Sequence, residues 1–421
     1  MTAFNPFFSR AINLLVGLHF LVLLTLPKGY NYVPSLLILC GFVFLIRQIR
    51  NARYAITLDR DQKQLFLSYS VYFLLFVLSF WLHDGRLREL DNPSRIIFFL
   101  PILLLLIQTK FDFKLLAYFL PIGALLGGLT ALYQRLYLGQ DMAFGHIMHI
   151  QGGDISMSLG LFSLCSAMYW YHAKNKTMAI FSVIFALFGI VGSILSTARG
   201  GWIGAPFLIL WIFFLYRHTL SKRFWLSAVL ISVLLISMLF VFSEQTRLIE
   251  RLVSAQTEIS NYFQHNNGST SVGARFDMWK SAVLAITEKP LFGWGIDAIS
   301  TLRQQQAEQG IISQYAGSFN HAHNQYLDDA SKRGLLGLTA LLAIFFVPLV
   351  FFSKTLRQAQ QNAALRYVAL LGIVHVLAVM SYGVSQGFFA HNSGNTFYFF
   401  SVIVFYAAVY SVKNAEADKS L

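Results

Sequence analysis

Apolar runs recur along almost the whole chain, separated by short polar connections, and one polar stretch is far longer than the others. A helix needs about 20 apolar residues to cross a bilayer core. Runs near that length lie at 11–27, 33–46, 65–82, 96–109, 115–137, 155–172, 178–197, 202–216, 224–242, 334–352, 367–385 and 396–412. They predict an all-α integral membrane protein of about twelve transmembrane helices, a single polytopic membrane domain over residues 1–421. The long polar stretch, 243–333, falls between the ninth and tenth spans, and loops of that length are usually functional. It carries a helical pattern of its own. Leu248, Ile249, Leu252, Val253, Ile259 and Phe263 recur at helical spacing in a polar background, which predicts an amphipathic helix lying on the membrane or roofing a cavity. The cluster His265-Asn-Asn-Gly-Ser-Thr-Ser271 breaks it. A second helix is expected from Ser271 to Glu288, ending before Pro290, and then a turn through Gly295. A last helix, from about His323, is expected to run into the tenth span at Gly334.

Charge sets the orientation. With the amino terminus in the cytoplasm, the connections on that side hold eighteen Lys and Arg, and the short connections opposite hold six: Lys28, Arg86, Arg88, Arg95, Arg135 and Arg199. Basic residues collect on the cytoplasmic side. Both termini are therefore expected inside and 243–333 outside, in the periplasm of a Gram-negative cell. An apolar share of 56% with 12% charged residues excludes a water-soluble globule. The net charge of +13 is spread over membrane connections and not gathered on a module that could bind nucleic acid. Cys40 and Cys165 lie in separate apolar runs and read as packing residues. No small-residue cleavage site follows the first run, which reads as a retained span.

Three residues on the outer side invite chemistry. Arg199 follows the seventh run directly in Ser196-Thr-Ala-Arg-Gly-Gly201, a cation at an outer boundary with no acid nearby in sequence; charges near membrane depth usually face a cavity or a partner. Arg275 lies in the first turn of the second external helix, where its guanidinium and the helix terminus both favour an anion. Met278, Trp279, Ala282, Val283 and Ile286 continue below it as an apolar stripe. His323 carries the one side chain whose ordinary pKa, about 6.5, suits proton transfer near neutrality. With His321 it could form a metal pair, but no third ligand is evident and Asp328 and Asp329 are poorly spaced for one. Taken singly, each also fits a bland role: a snorkelling arginine, or a capped helix-start histidine.

In order along the chain, Ser196-Thr-Ala-Arg199-Gly, then Gly273-Ala-Arg275…Trp279…Lys289-Pro290-x-x-Gly293-x-Gly295, then His323-Asn324-x9-Gly334-x-x-Gly337 resemble the O-antigen ligase family. Its wider superfamily includes O-antigen polymerases and protein O-oligosaccharyltransferases. The likeness covers roughly 196–340 together with the plan of many spans and one long outer loop. It implies a GT-C-like fold in the bacterial inner membrane and transfer of O-antigen polysaccharide from undecaprenyl diphosphate to lipid A-core oligosaccharide at the periplasmic face. It also implies that Arg199 and Arg275 bind the donor diphosphate and that His323 activates the acceptor sugar, with Asn324 beside it among the substrate contacts. Some relatives have a functional acid in the last outer loop; here Ser381-Tyr-Gly-Val-Ser-Gln-Gly387 offers Gln386 and no acid.

That chemistry suits these residue types. Breaking the anomeric C–O bond places negative charge on the diphosphate, so fixed cations stabilise the transition state above the ground state. Arginine matches phosphate bidentately and stays protonated. A histidine within reach can take the acceptor proton, and attack opposite the diphosphate inverts the anomeric centre. No cofactor or metal is expected. Arg86 and Arg88, with Arg95, form a third outer basic group placed to meet substrate phosphates or lipid headgroups. Gly334 and Gly337 are expected to let the helix beneath the histidine pack closely on a neighbour. A polymerase or protein-glycosylating member would use similar parts. A lipid-linked oligosaccharide flippase would instead place charges at mid-span, where Arg135 and His375 are the main ionisable residues and neither has an evident partner.

Overall fold

The computed structural model describes residues 5–50, 57–222, 248–359 and 362–420, with Leu226, Val233 and Ser237 between. Regular structure in those residues is helical. The helices are α1 Pro6–Val22, α2 Gly29–Arg50, α3 Arg60–Leu82, α4 Asp91–Phe98, α5 Leu100–Gln108, α6 Lys114–Leu132, α7 His149–His172, α8 Lys176–Leu195 and α9 Gly200–Tyr216. They continue with α10 Leu248–His265, α11 Ser271–Glu288, α12 Ile296–Glu308, α13 Gln325–Gln358, α14 Ala363–Tyr382 and α15 Asn392–Ser420. Eleven of the twelve apolar runs fall on these helices; the run 224–242 lies outside the described residues except for Leu226, Val233 and Ser237.

Among the described residues, eight helical stretches are long and apolar enough to cross a membrane, which makes this a multi-pass membrane protein. Of the four other runs, 224–242 falls almost wholly outside the described residues, and the remaining three differ for physical reasons. α1 and α9 are apolar but 17 residues long, rising about 25 Å against a hydrocarbon core of about 30 Å. α7 has the length, 24 residues, but carries Gly152, Gly153, Gly160 and four serines where a lipid-facing helix carries leucine. It is buried along nearly all of its length. Its small residues admit α8 closely: Ser156 Oγ donates to Gly189 O at 2.8 Å and Ser163 Oγ to Ser182 O at 2.7 Å. Short polar side chains between close backbones are how membrane helices pack without a hydrophobic driving force.

Polar contacts between helix ends divide into two sets. At one end of the bundle, Asn13 meets Asp112, Lys110 meets Asp418 and Tyr410 meets Asp59. The first half of α1 and the last turns of α15 therefore lie at this same end. At the other end, His83 meets Gly293, Asn92 meets Phe389 and Asn395, Gln325 meets Gly383 and His323 meets Gln386. The helices α10 to α12 belong to this second end.

The segment from α10 to α12 is stapled by a few polar atoms. Asp277 accepts from the Tyr262 hydroxyl at 3.0 Å and from Ser313 N at 2.8 Å. The apolar side chains Val253, Ile259 and Phe263 of α10 are exposed. The stripe below Arg275 is split, with Met278 and Ala282 buried and Val283 exposed. α13 begins at Gln325, close to the expected His323, but does not run straight. Gly334 breaks it, with φ 67° and ψ −167°. There the Pro290–Gly295 turn takes up the released backbone groups: Trp294 N donates to Ser331 O at 3.0 Å, Gly295 N to Lys332 O at 2.9 Å and Leu335 N to Pro290 O at 2.7 Å. Gly334 thus receives a turn and not a packed helix, and a Cβ added at Gly337 would meet the Cβ of Arg333 on its own helix. The close neighbour of Gly334 is therefore the Pro290–Gly295 turn.

Candidate functional site

Phe319 to Asn324 lead into α13 as a folded connection, and its geometry presents the histidine. Asn324 is the helix cap: its Oδ1 accepts from Tyr326 N at 3.0 Å and Leu327 N at 3.1 Å, and its Nδ2 donates to Val384 O at 3.1 Å. Those bonds give Asn324 a role in holding the connection, where contact with substrate was expected. His323 itself has φ +46°, a left-handed conformation costly for a residue with a Cβ. The ring is fixed by Gln386, whose Oε1 lies 2.9 Å from Nδ1. Since that oxygen can only accept, Nδ1 carries the proton and Nε2 carries a lone pair. His321 lies over the same ring with centroids 4.1 Å apart, and Phe319 meets its edge at 5.5 Å.

Electrostatics keep these rings neutral. Burial lowers the His323 pKa below its usual 6.5, the bond to Gln386 offsets part of this, and the Arg275 charge lowers it again. His321 is pushed down to about 3, by burial first and by His323 second. Asp328 and Asp329 are occupied by ion pairs. Lys332 Nζ reaches Asp328 at 2.8 Å, and Arg333 Nε reaches Asp329 at 2.9 Å while its guanidinium lies 3.9 Å over the Phe76 ring. Asp328 also accepts from Ala322 N at 3.0 Å, which ties the histidine connection to α13.

Arg275 joins the histidine to the second cation. It is held within α11, where burial first and Arg199 second weaken its hold on its proton, while Asp154 and Glu258 act in the opposite sense. Arg199 precedes α9 and its guanidinium lies 3.4 Å from Ser254 Oγ on α10. The α11 terminus is already capped: Glu258 Oε2 accepts from Val272 N at 2.8 Å and Thr270 Oγ1 from Gly273 N at 3.0 Å. An anion at Arg275 is therefore met by side chains and not by that helix terminus. Arg199, Arg275 and His323 are brought into one electrostatic cluster from three separate elements.

Arg86 and Arg88 are not drawn into it. Arg86 forms an exposed ion pair with Asp297 at 2.9 Å, Arg88 is exposed, and Arg95 donates to Asn31 Oδ1 at 2.7 Å. Two further residues enter that were not singled out before. Asp154 on α7 is wholly buried; Arg275 and the Gly201 N–H face it, yet neither carboxylate oxygen completes a hydrogen bond. An acid in the run Gln151-Gly-Gly-Asp154 at the head of an apolar segment was the available signal. The other is His391, whose Nε2 lies 3.2 Å from Gln386 Nε2.

The family model for O-antigen ligase matches residues 181–342, a range that contains Arg199, Arg275, His323, Gly334 and Gly337. A Haemophilus influenzae protein described as uncharacterized is 38% identical over 395 residues, covering 94% of this chain and 97% of its own length. The chain belongs to the O-antigen ligase family. Membership brings lipid-linked polysaccharide substrates and a ligase or polymerase type of glycosyl transfer in a membrane setting. Within the O-antigen ligase match, Arg199 and His323 sit in connections and Arg275 near the start of α11, while His375, beyond the matched range, is packed: its Nε2 meets Tyr398 O at 3.1 Å among the rings of Phe162, Phe397 and Phe405.

Proposed function

We propose that this protein is an O-antigen ligase of the bacterial inner membrane. It transfers O-antigen polysaccharide from undecaprenyl diphosphate to lipid A-core oligosaccharide, with both termini in the cytoplasm and the His323 end of the bundle facing the periplasm. The observation that carries the reading is the His323 ring, held with Nε2 bare in the field of Arg275, which itself neighbours Arg199. A neutral imidazole with one exposed lone pair is a general base, and paired guanidiniums are a diphosphate cradle. In the reaction an acceptor hydroxyl oxygen forms a bond to the anomeric carbon as its proton passes to Nε2. The bond from that carbon to the diphosphate oxygen breaks, and its electron pair stays on the leaving group. Arg199 and Arg275 stabilise the charge that develops there, without need of a divalent ion. A single displacement inverts the anomeric centre.

Burial and the Arg275 charge support the role by lowering the His323 pKa, so that the ring is neutral and open to a proton at neutral pH. A flippase reading has less behind it, because His375 is hydrogen-bonded inside an aromatic cluster and does not line a path. The test is transfer by purified protein from undecaprenyl-diphosphate-linked O-antigen to lipid A-core. His323→Ala is expected to lose at least about a hundredfold in kcat, the lower range for general base catalysis. Wild-type turnover by that variant, with the fold intact, removes His323 from the mechanism. Offering lipid-linked repeat units or a serine-bearing acceptor protein in place of lipid A-core separates ligase from polymerase and from protein-glycosylating activity.

A further inference from the structure

The bare nitrogen of His323 depends on which way one amide points. Gln386 is wholly buried in the connection between α14 and α15 and touches two imidazoles: its Oε1 lies 2.9 Å from His323 Nδ1 and its Nε2 lies 3.2 Å from His391 Nε2. A primary amide accepts at one end and donates at the other. With the oxygen on His323, the NH₂ must face His391, and that bond exists only while His391 Nε2 carries a lone pair. A protonated His391 has hydrogens on both nitrogens and confronts the NH₂ with a second donor. The amide then gains by turning over, so that its oxygen accepts from His391 and its NH₂ faces His323 Nδ1.

We propose that Gln386 and His391 are positioning residues for the base: neutral His391 holds the Gln386 amide in the sense that keeps the His323 proton on Nδ1, and proton uptake by His391 reverses amide and tautomer together. The inference rests on the reading of His323 as general base. Its proton balance closes with one proton. His391 takes a proton from solvent at Nε2, the amide turns, Nδ1 of His323 gives up its proton to solvent, and solvent returns one to Nε2. The nitrogen that faced the acceptor is now a donor and cannot deprotonate a hydroxyl.

The surroundings favour the active sense at neutral pH. His391 is faced by His321 and His323 from the connection before α13 and by Gln386 from its own. Beyond these rings stand Arg275 on α11 and Asp328 and Lys332 on α13, so the imidazoles share two cations and one acid that is already paired with Lys332. Burial lowers the proton affinity of His391. Neutral His391 is the form present at pH 7, and protonation arrives as the pH falls below the usual imidazole range.

Three variants assayed as kcat and donor KM against pH test this, together with ¹⁵N spectra of histidine-labelled protein in nanodiscs, assigned with His323→Gln. Gln386→Leu is expected to lower kcat on the order of tenfold or more while donor KM moves by less than about twofold. Gln386→Glu accepts at both oxygens and is expected to recover most of that loss, which a merely structural role for the side chain would not predict. His391→Asn cannot take up the switching proton; with each profile normalised to its own plateau, its acid limb is expected to move to lower pH by about half a unit or more. The spectra are expected to show His323 protonated on Nδ1 and bare on Nε2 at pH 7.5. An Nε2-protonated His323 in the wild type at that pH overturns the proposal, as does wild-type kcat in Gln386→Leu or an unmoved acid limb in His391→Asn. If His323→Ala turns over normally, the general-base reading fails instead, and the tautomer spectra still decide what Gln386 and His391 do.

Discussion

Replacing Gly334 by alanine separates two costs that usually travel together. Inside α13 its φ of 67° and ψ of −167° lie where essentially only glycine rests, and an L side chain there costs about 1–3 kcal/mol. A Cβ would also overlap the Leu291 carbonyl and lie 2.6 Å from Phe292 N. Both are backbone atoms, so the Pro290–Gly295 turn must move. That displaces the bonds Trp294 N to Ser331 O, Gly295 N to Lys332 O and Leu335 N to Pro290 O, each worth about 0.5–1.5 kcal/mol net. The sum is roughly 3–7 kcal/mol. Gly310 supplies the control, with φ +72° but nothing within 4 Å of an added Cβ. Gly310→Ala should therefore cost only the conformational part, about 1–2 kcal/mol. Reversible unfolding in mixed micelles with increasing SDS measures both variants against wild type. Gly334→Ala should be the less stable of the two by about 2 kcal/mol or more. If the two lose equal stability, the turn and the kink are not one hydrogen-bonded unit and the account of α13 is wrong.

Arg275→Lys keeps the charge but loses the bidentate fork; kcat/KM for the lipid-diphosphate donor should fall about ten- to a hundredfold, as for loss of a charged hydrogen bond of about 1.5–3 kcal/mol, and an unchanged donor dependence would detach Arg275 from the diphosphate. The lowered pKa of His323 means its neutral form persists as pH falls through 6.5, so kcat should hold at pH 6.5 and decline only below it; a decline centred above 6.5 contradicts the burial of the ring. Asp154 is a buried carboxyl whose oxygens complete no hydrogen bond. Asp154→Leu, of similar volume and with no polar atom to satisfy, should therefore leave stability unchanged or raise it by about 1–3 kcal/mol while lowering turnover, measured by the same unfolding and transfer assays. Lost stability would mean that the carboxylate is held by contacts stronger than those seen.

Much of the fold is legible in the chain because hydrophobic periodicity is local. The helices α10 and α11 and the break between them follow from spacing and from the His265–Ser271 cluster. Where the reading fell short, the deciding interaction was distant in sequence or ran against composition. α7 begins at His149 and not at 155 because its polar first turn is buried by neighbours, which no apolar run announces. His323 and Gln386 are 63 residues apart, and the histidine's tautomer is set by that one bond. Gln386 was noticed only as a missing acid. Asn324 reads as a substrate contact by its place beside the histidine, but a residue at that place also has two open helix N–H groups to cap, and capping consumes its amide.

The stretch from Pro290 to Gly337 carries the broader argument. Read as sequence, Pro290-x-x-Gly293-x-Gly295 and Gly334-x-x-Gly337 are two motifs about forty residues apart. In the structure they form one object. Gly293 has φ +71°, and an added Cβ would lie 2.5 Å from Lys332 C, so each glycine makes room for the other's backbone. The kink they form lies one residue beyond Arg333 and two beyond Lys332, the partners of Asp329 and Asp328. Asp328 in turn accepts from Ala322 N and so anchors the connection that holds His323. A chain of backbone and ion-pair contacts thus runs from the glycines to the ring. Under the general-base role proposed for His323, those glycines act on turnover through the position of the imidazole, so that substitution at Gly293 or Gly334 should displace the ring as well as destabilise the kink.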